Sequence, residues 1–231
     1  RDDLVTGVQT CALPISRHPY QMGCIFEQLS IPNTMSGKAK LRAIIDQIEM
    51  LTTEEKELIV DRVVVNRFEK GTVLLREGQI SPQCYLVLEG CIREYSLKDG
   101  EEKTTAFYTE GEGTAQYIGR GKDQPSDHYL ECLEDCDLMV ATESMEDQIR
   151  QLVPRLDLLI QEVAKQRLEH YRTAMNAFIH SSPEERYVQL METKPFLFHR
   201  VPHHQIASYL GMKPQSLSRI RRRVVEKEQA K

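Results

Sequence analysis

No stretch of 18 or more apolar residues occurs in this sequence, so no segment is suited to crossing a membrane as a helix. No C-x-x-C pair occurs either. The six cysteines, at positions 11, 24, 84, 91, 132 and 136, are scattered, and a chain of 231 residues can bury a core without disulfide staples. That usage fits a reducing cytosol, and the expected location is cytoplasmic. Cys132 and Cys136 lie near each other, but no second Cys or His pair at ligand spacing accompanies them. They are expected as small buried side chains on a strand and its neighbouring turn, and no metal site is expected. A catalytic centre would need clustered metal-binding histidines or a nucleophile beside its base. His128, flanked by Asp127 and Tyr129, is the one crowd of this kind and lacks such spacing. No catalytic residue is assigned, and the chain is not expected to be an enzyme.

Bulk composition is that of an ordinary globular protein, 40% hydrophobic and 28% charged with net charge -5. The charge is unevenly placed. From Arg200 to Lys231 there are eight Lys or Arg against two Asp or Glu, a local +6 that leaves -11 for the remainder. An acidic body carrying a compact polyanion-binding module has this asymmetry.

Residues 1–21 are set aside. RDDLVTGVQTCALPIS (1–16) has no amphipathic period, resembles translated sequencing-adapter DNA, and lacks the basic start and long apolar core of a secretory signal. Met22 or Met35 is expected nearer the native start. Met22-Gly23-Cys24 outlines a lipidation site, but Glu27 stands where that pattern requires Ser or Thr.

From Lys38 the periods become regular. Leu41, Ile44, Ile45 and Ile48 recur at helical steps, and Thr53 begins a second short helix. Short β-prone runs follow at 63–68, 73–75, 85–88, 91–95, 104–108, 129–133 and 138–141, punctuated by Gly71, Gly78, Gly90 and Gly100. Asp99-Gly100 is the strongest hairpin signal, since both central residues of such a turn need positive φ. Even spacing of many short strands predicts a small antiparallel roll. After Ser144 the helical period returns. Leu156, Ile160, Ala164, Leu168, Tyr171, Met175 and Phe178 form one stripe, which fits either a helix packed on the roll or, as favoured here for its persistence, the seam of a two-helix dimer. Ser182-Pro183-Glu184-Glu185 starts a new helix, with a capping Ser, Pro at the first position and acids in the first turn. The expected organisation is therefore a β-roll with leading helices over 38–145, a long dimerisation helix over 146–181, and a third domain over 182–231.

That third domain contains HHQIASYLGMKPQSLSRIRRR (203–223). A helix-turn-helix needs a small residue where its helices touch, a glycine at the turn, and apolar residues shared by both helices. Ala207 and Gly211 supply the first two, and Ile206, Leu210, Met212, Leu217 and Ile220 the rest. Pro214 can open the second helix without losing a hydrogen bond. Gln215, Ser216, Arg219 and Arg222 fall on the side opposite Leu217 and Ile220, where a major-groove helix meets base edges. Lys213 precedes them. Arg221 to Arg223 are expected mainly at phosphates. His203 and His204 suit either phosphate contact or a neutral role at a helix start.

FEKGTVLLREGQ (68–79), YLVLEG (85–90), ERYVQL (185–190) and IASYLGMKPQSLSRIRR (206–222) together resemble the Crp/Fnr family of bacterial regulators, the last segment most like its Bacteroidetes members. The likeness covers about Leu41 to Lys227. It implies an α+β fold: an N-terminal antiparallel, cupin-like jelly roll of the cyclic-nucleotide-binding kind, a long dimerisation helix and a C-terminal helix-turn-helix. It also implies a homodimer on a palindromic promoter in double-stranded DNA, with RNA polymerase as a further partner of such a regulator. Gln215 and Arg219 match the family's base-reading positions, while Pro214 replaces a polar contact. Three departures stand out. Where cyclic-nucleotide members hold phosphate with Arg-Ser-Ala and ribose with Gly-Glu, this chain has Ser126-Asp127-His128 and Ala115-Gln116. Gln116, Ser126, Asp127 and His128 are thus the candidate effector-pocket residues, and Asp127 would repel a phosphate. No cofactor is expected, cyclic AMP is disfavoured and the effector is left open. Cys24 alone cannot supply the iron–sulfur cluster of the redox members. The chain is expected to lack a full β-hairpin wing after the second helix. The competing reading is a small-molecule-binding roll without DNA partners, against which the arginines after Gly211 argue.

Overall fold

In the computed structural model the described residues are 35–81, 83–114 and 124–229. The adapter-like segment and Gln116 lie outside them.

Two capped helices lead. Ser36 caps α1 (Gly37–Asp46), its hydroxyl accepting from the Ala39 amide. Thr52 opens α2 (Thr53–Arg62) with a reciprocal box, in which Thr52 Oγ1 accepts from the Glu55 amide and the Glu55 carboxylate accepts from the Thr52 amide at 2.8 Å. Among the described residues seven strands follow: β1 (Val64–Phe68), β2 (Val73–Leu75), β3 (Gln83–Glu89), β4 (Ile92–Lys98), β5 (Glu101–Tyr108), β6 (Tyr129–Cys132) and β7 (Cys136–Thr142). The β4–β5 turn has φ of 54° at Asp99 and 78° at Gly100, as the Asp-Gly signal requires.

All pairings are antiparallel, and the strands form two sheets ordered β1-β7-β3 and β2-β6-β4-β5. Alternation sends Leu75, Tyr85, Val87, Ile92, Leu130, Cys132, Cys136 and Leu138 into the space between them. Cys132 and Cys136 are fully buried free thiols that end β6 and begin β7, so the three-residue turn between them carries the chain from one sheet to the other. Gly90 makes that closure possible. A Cβ there would stand 2.5 Å from Cys136 Sγ.

The outer face of the first sheet is covered by helices. Leu41, Ile44 and Ile45 of α1, with Ile59 of α2, pack on Leu88, Leu86 and Met139. A third helix, α3 (Glu143–Leu152), adds Ile149 to the same cluster. It stops at Val153-Pro154, because proline disfavours helical backbone before it and cannot donate within the helix; Val153 has φ -130° and ψ 74°. The long helix expected from residue 146 is therefore two helices, and α4 (Leu156–His180) holds the whole of the predicted stripe.

Lys40 ties α1 down. Its side chain is 3% exposed, and its Nζ donates to Glu89 of β3 and, at 2.9 Å, to Asp137 of β7. Replacing it would strip Glu89 of its cation and leave Asp137 with only the more distant Arg67, at 3.5 Å. Lys40→Met is expected to destabilise the roll by about 3 kcal/mol, measured by urea unfolding; a change below about 0.5 kcal/mol would show the pairing to be neutral.

Candidate nucleic-acid interface

Ser182 caps α5 (Pro183–Thr193), accepting from the Glu185 amide while Glu185 accepts from the Ser182 amide at 2.7 Å. These hydrogen bonds hold the Glu185 carboxyl below its usual range. A single turn, α6 (Leu197–Arg200), leads to α7 (His203–Tyr209) and α8 (Pro214–Gln229). The bend between α7 and α8 is a Schellman closure. The Met212 amide donates to the Ala207 carbonyl at 2.9 Å and the Gly211 amide to the Ser208 carbonyl at 3.0 Å, with Gly211 at φ +67°. Pro214 occupies the first position of α8, where a missing N–H costs nothing.

Ile206, Ala207, Leu210, Leu217 and Ile220 are buried together with Tyr187, Leu190, Leu197 and Val201. His203, Lys213, Gln215, Ser216, Arg219 and Arg222 are all exposed. The structure thus separates the two groups that the sequence distinguishes, apolar inward and polar or basic outward. Arg223, expected at phosphate, has a partner within the chain. Its guanidinium pairs with Glu184 of α5 at 2.8 Å, and Lys227 joins the same carboxylate at 2.5 Å. Both cations hold the Glu184 carboxyl below its usual range.

Sequence reasoning missed how this unit meets the roll. Cys91, Phe107 and Leu133 belong to the same apolar cluster as Leu197 and Ile206. The rings of Phe107 and Tyr209 lie 5.2 Å apart. Ser208 Oγ accepts from the Thr104 amide at 3.0 Å and donates to the Glu102 carbonyl at 3.1 Å. Arg200 lies between two acids of the roll, donating to Glu110 through two nitrogens at 2.8 Å and to Glu134 through Nε at 3.0 Å. Lys194 reaches Glu112 at 2.6 Å. Burial pushes the Glu110 carboxyl up, but the Arg200 and Gly90 donors outweigh it, so it stays below the ordinary glutamate range.

Of the candidate effector residues, Ser126 is buried and its hydroxyl spans its own turn, accepting from the His128 amide and donating to the His128 carbonyl at 2.9 Å. Asp127 is exposed and sits 2.9 Å from His128 Nδ1. The structure adds Glu94, which strand alternation places on the same face as Ile92, toward the roll interior. Its carboxylate accepts from Tyr108 Oη at 2.8 Å and Thr105 Oγ1 at 2.7 Å, with His128 Nε2 at 3.8 Å. The signal was available in the sequence as a lone acid at inward parity in β4.

Residues 65–151 match the family model of the cyclic nucleotide-binding domain. Among solved structures, CLP of Xanthomonas campestris, described as a c-di-GMP responsive global regulator, superposes with TM-score 0.59 at 16% identity over 77% of this chain and 93% of that one. The chain shares the fold of CLP. FixK2 from Bradyrhizobium japonicum gives 0.59 at 19% identity, covering 72% and 86%. A mutant of CooA from Carboxydothermus hydrogenoformans gives 0.57 at 18%, covering 78% and 84%. No curated protein sequence matches the chain. No described helix of the chain is long and apolar enough to cross a membrane.

At Gly211 a Cβ would meet the Phe178 ring at 2.9 Å and force a side chain into left-handed backbone. Gly211→Ala is expected to destabilise the helix-turn-helix by about 1–2 kcal/mol, read from chemical unfolding. An unchanged midpoint would show that the turn tolerates a side chain.

Proposed function

We propose that the chain is a dimeric, sequence-specific DNA-binding transcription regulator of the Crp/Fnr type, working in the cytoplasm. The observation that carries this reading is the exposed set Lys213, Gln215, Ser216, Arg219 and Arg222 on the free side of α8, backed by a closed helix-turn-helix core. Placed in the major groove, Gln215 can pair bidentately with adenine and Arg219 with guanine, while Lys213, Arg222 and His203 suit the phosphate backbone. The dimer reading rests on α4. Leu168, Tyr171 and Met175 are 61%, 49% and 67% exposed along one stripe, and a second copy of α4 would cover them.

The roll is the effector domain of this reading, with Ser126, Asp127 and His128 as its candidate pocket residues among those described. By the resemblance, Ser126-Asp127-His128 replaces the family's Arg-Ser-Ala, so the phosphate-holding arginine is missing and Asp127 brings a negative charge, while Glu94 puts a carboxylate on the inner face. A phosphate would enter against both charges. Calorimetry with cyclic AMP is therefore expected to give no tight binding, and sub-micromolar affinity would overturn that part of the reading.

Gel shifts with fragments of the source genome at two salt concentrations test the whole. Affinity is expected to fall steeply with salt as phosphate contacts release counterions, whereas absence of any shift would favour a ligand-binding roll without DNA. On a selected site, Arg219→Ala is expected to lose about 1–3 kcal/mol and relax one base position. Equal loss on all sequences would assign Arg219 to phosphate alone.

A further inference from the structure

Of the two acids that hold Arg200, Glu110 is itself fixed. Glu110 Oε1 accepts from the Gly90 amide at 2.9 Å. Its turn is stitched to β3 at three points: Gly111 N to the Val87 carbonyl at 2.8 Å, Val87 N to the Glu112 carbonyl at 3.0 Å, and Thr114 N to the Tyr85 carbonyl at 2.7 Å. Glu112 also accepts from the Thr109 amide at 2.8 Å, which orients it for Lys194. Glu134 sits in the short turn between β6 and β7, and Leu133 beside it packs into the helix-turn-helix core. Arg200 immediately precedes Val201-Pro202 and α7. A planar five-donor fork received by two carboxylates, one of them pinned by the Gly90 amide, fixes direction as well as distance.

We propose that Arg200 is a positioning residue that sets the angle at which the helix-turn-helix leaves the roll, and so the separation of the two recognition helices in the dimer. The inference rests on the DNA-binding reading above. Two helices reading a palindrome must stand about 34 Å apart. A unit held rigidly delivers the second helix at high effective concentration, and a loosened one forfeits that advantage without losing either half-site contact. Apolar packing around Leu133 and Phe107 supplies contact but no comparable directionality.

The test uses the whole chain and a duplex that the wild-type protein enriches from a random library. Versions of that duplex carry the half-sites moved apart by one and two base pairs, or one half-site alone. Arg200→Ala is expected to bind the intact palindrome about tenfold more weakly and to flatten the spacing optimum, while half-site affinity stays within about twofold. Glu110→Gln with Glu134→Gln, which leaves the helix-turn-helix sequence intact, should reproduce this, and Arg200→Lys should be intermediate. Without DNA, hydrogen exchange of the Thr104 amide, which crosses to Ser208, should speed up in Arg200→Ala while that of β7 does not. Equal loss on half-site and palindrome, an unchanged spacing optimum, or unchanged exchange at Thr104 overturns the inference while the DNA-binding reading stands. Failure of the wild-type chain to enrich any duplex overturns the reading, and the inference with it.

Discussion

An isolated helix of seven residues does not hold its shape in water, because nucleation costs more than so few backbone hydrogen bonds return. The first helix of the helix-turn-helix, α7, is that short. It persists because Ile206 and Ala207 are enclosed by Tyr187 and Leu190 of α5, Leu197 of α6 and Leu217 and Ile220 of α8, with Cys91, Phe107 and Leu133 of the roll closing the same cluster. The recognition helix takes its bearing from that enclosure. Gly211 turns the chain between the two helices, and the Phe178 ring at the end of α4 stands where a side chain at Gly211 would point. Apolar cover supplies the stability, and the charged pairs around Arg200 supply direction.

The roll uses its two faces differently. Its outer surface carries the leading helices on one sheet and contacts the helix-turn-helix from the other. Its inner face is largely apolar among the described residues, but at β4 Glu94 meets Tyr108, Thr105 and His128. A fold associated with anionic cyclic nucleotides here presents carboxylate chemistry. The architecture is shared with CLP and FixK2.

Much of the architecture was legible because it follows from local rules. The Asp99-Gly100 hairpin, the Ser182-Pro183 helix start and the Gly211 turn each depend on a few adjacent residues whose conformational needs are strict. Parity and period placed Leu217 and Ile220 inward and Gln215 and Arg219 outward. What escaped notice depends on distant partners. Arg200 meets Glu110 and Glu134 across 90 and 66 positions, and nothing in the neighbourhood of any of the three announces the pairing. Arg223 reads as one member of a basic run, yet Glu184 on another helix claims it. Two signals were present and passed over. Pro154 marks the break between α3 and α4, and Glu94 is a charged residue at an inward strand position.

The turn Leu133-Glu134-Asp135 joins the two sheets, sends Leu133 into the helix-turn-helix core, gives Glu134 to Arg200, and through Asp135 accepts from the Lys70 amide at 3.0 Å and pairs with Arg67. Surface loops are ordinarily where related proteins drift in length. Here an added residue would rotate each of these side chains away from a separate partner at once. The length of this loop is therefore held by the same contacts that hold its side chains, as the length of a buried strand is held by its register.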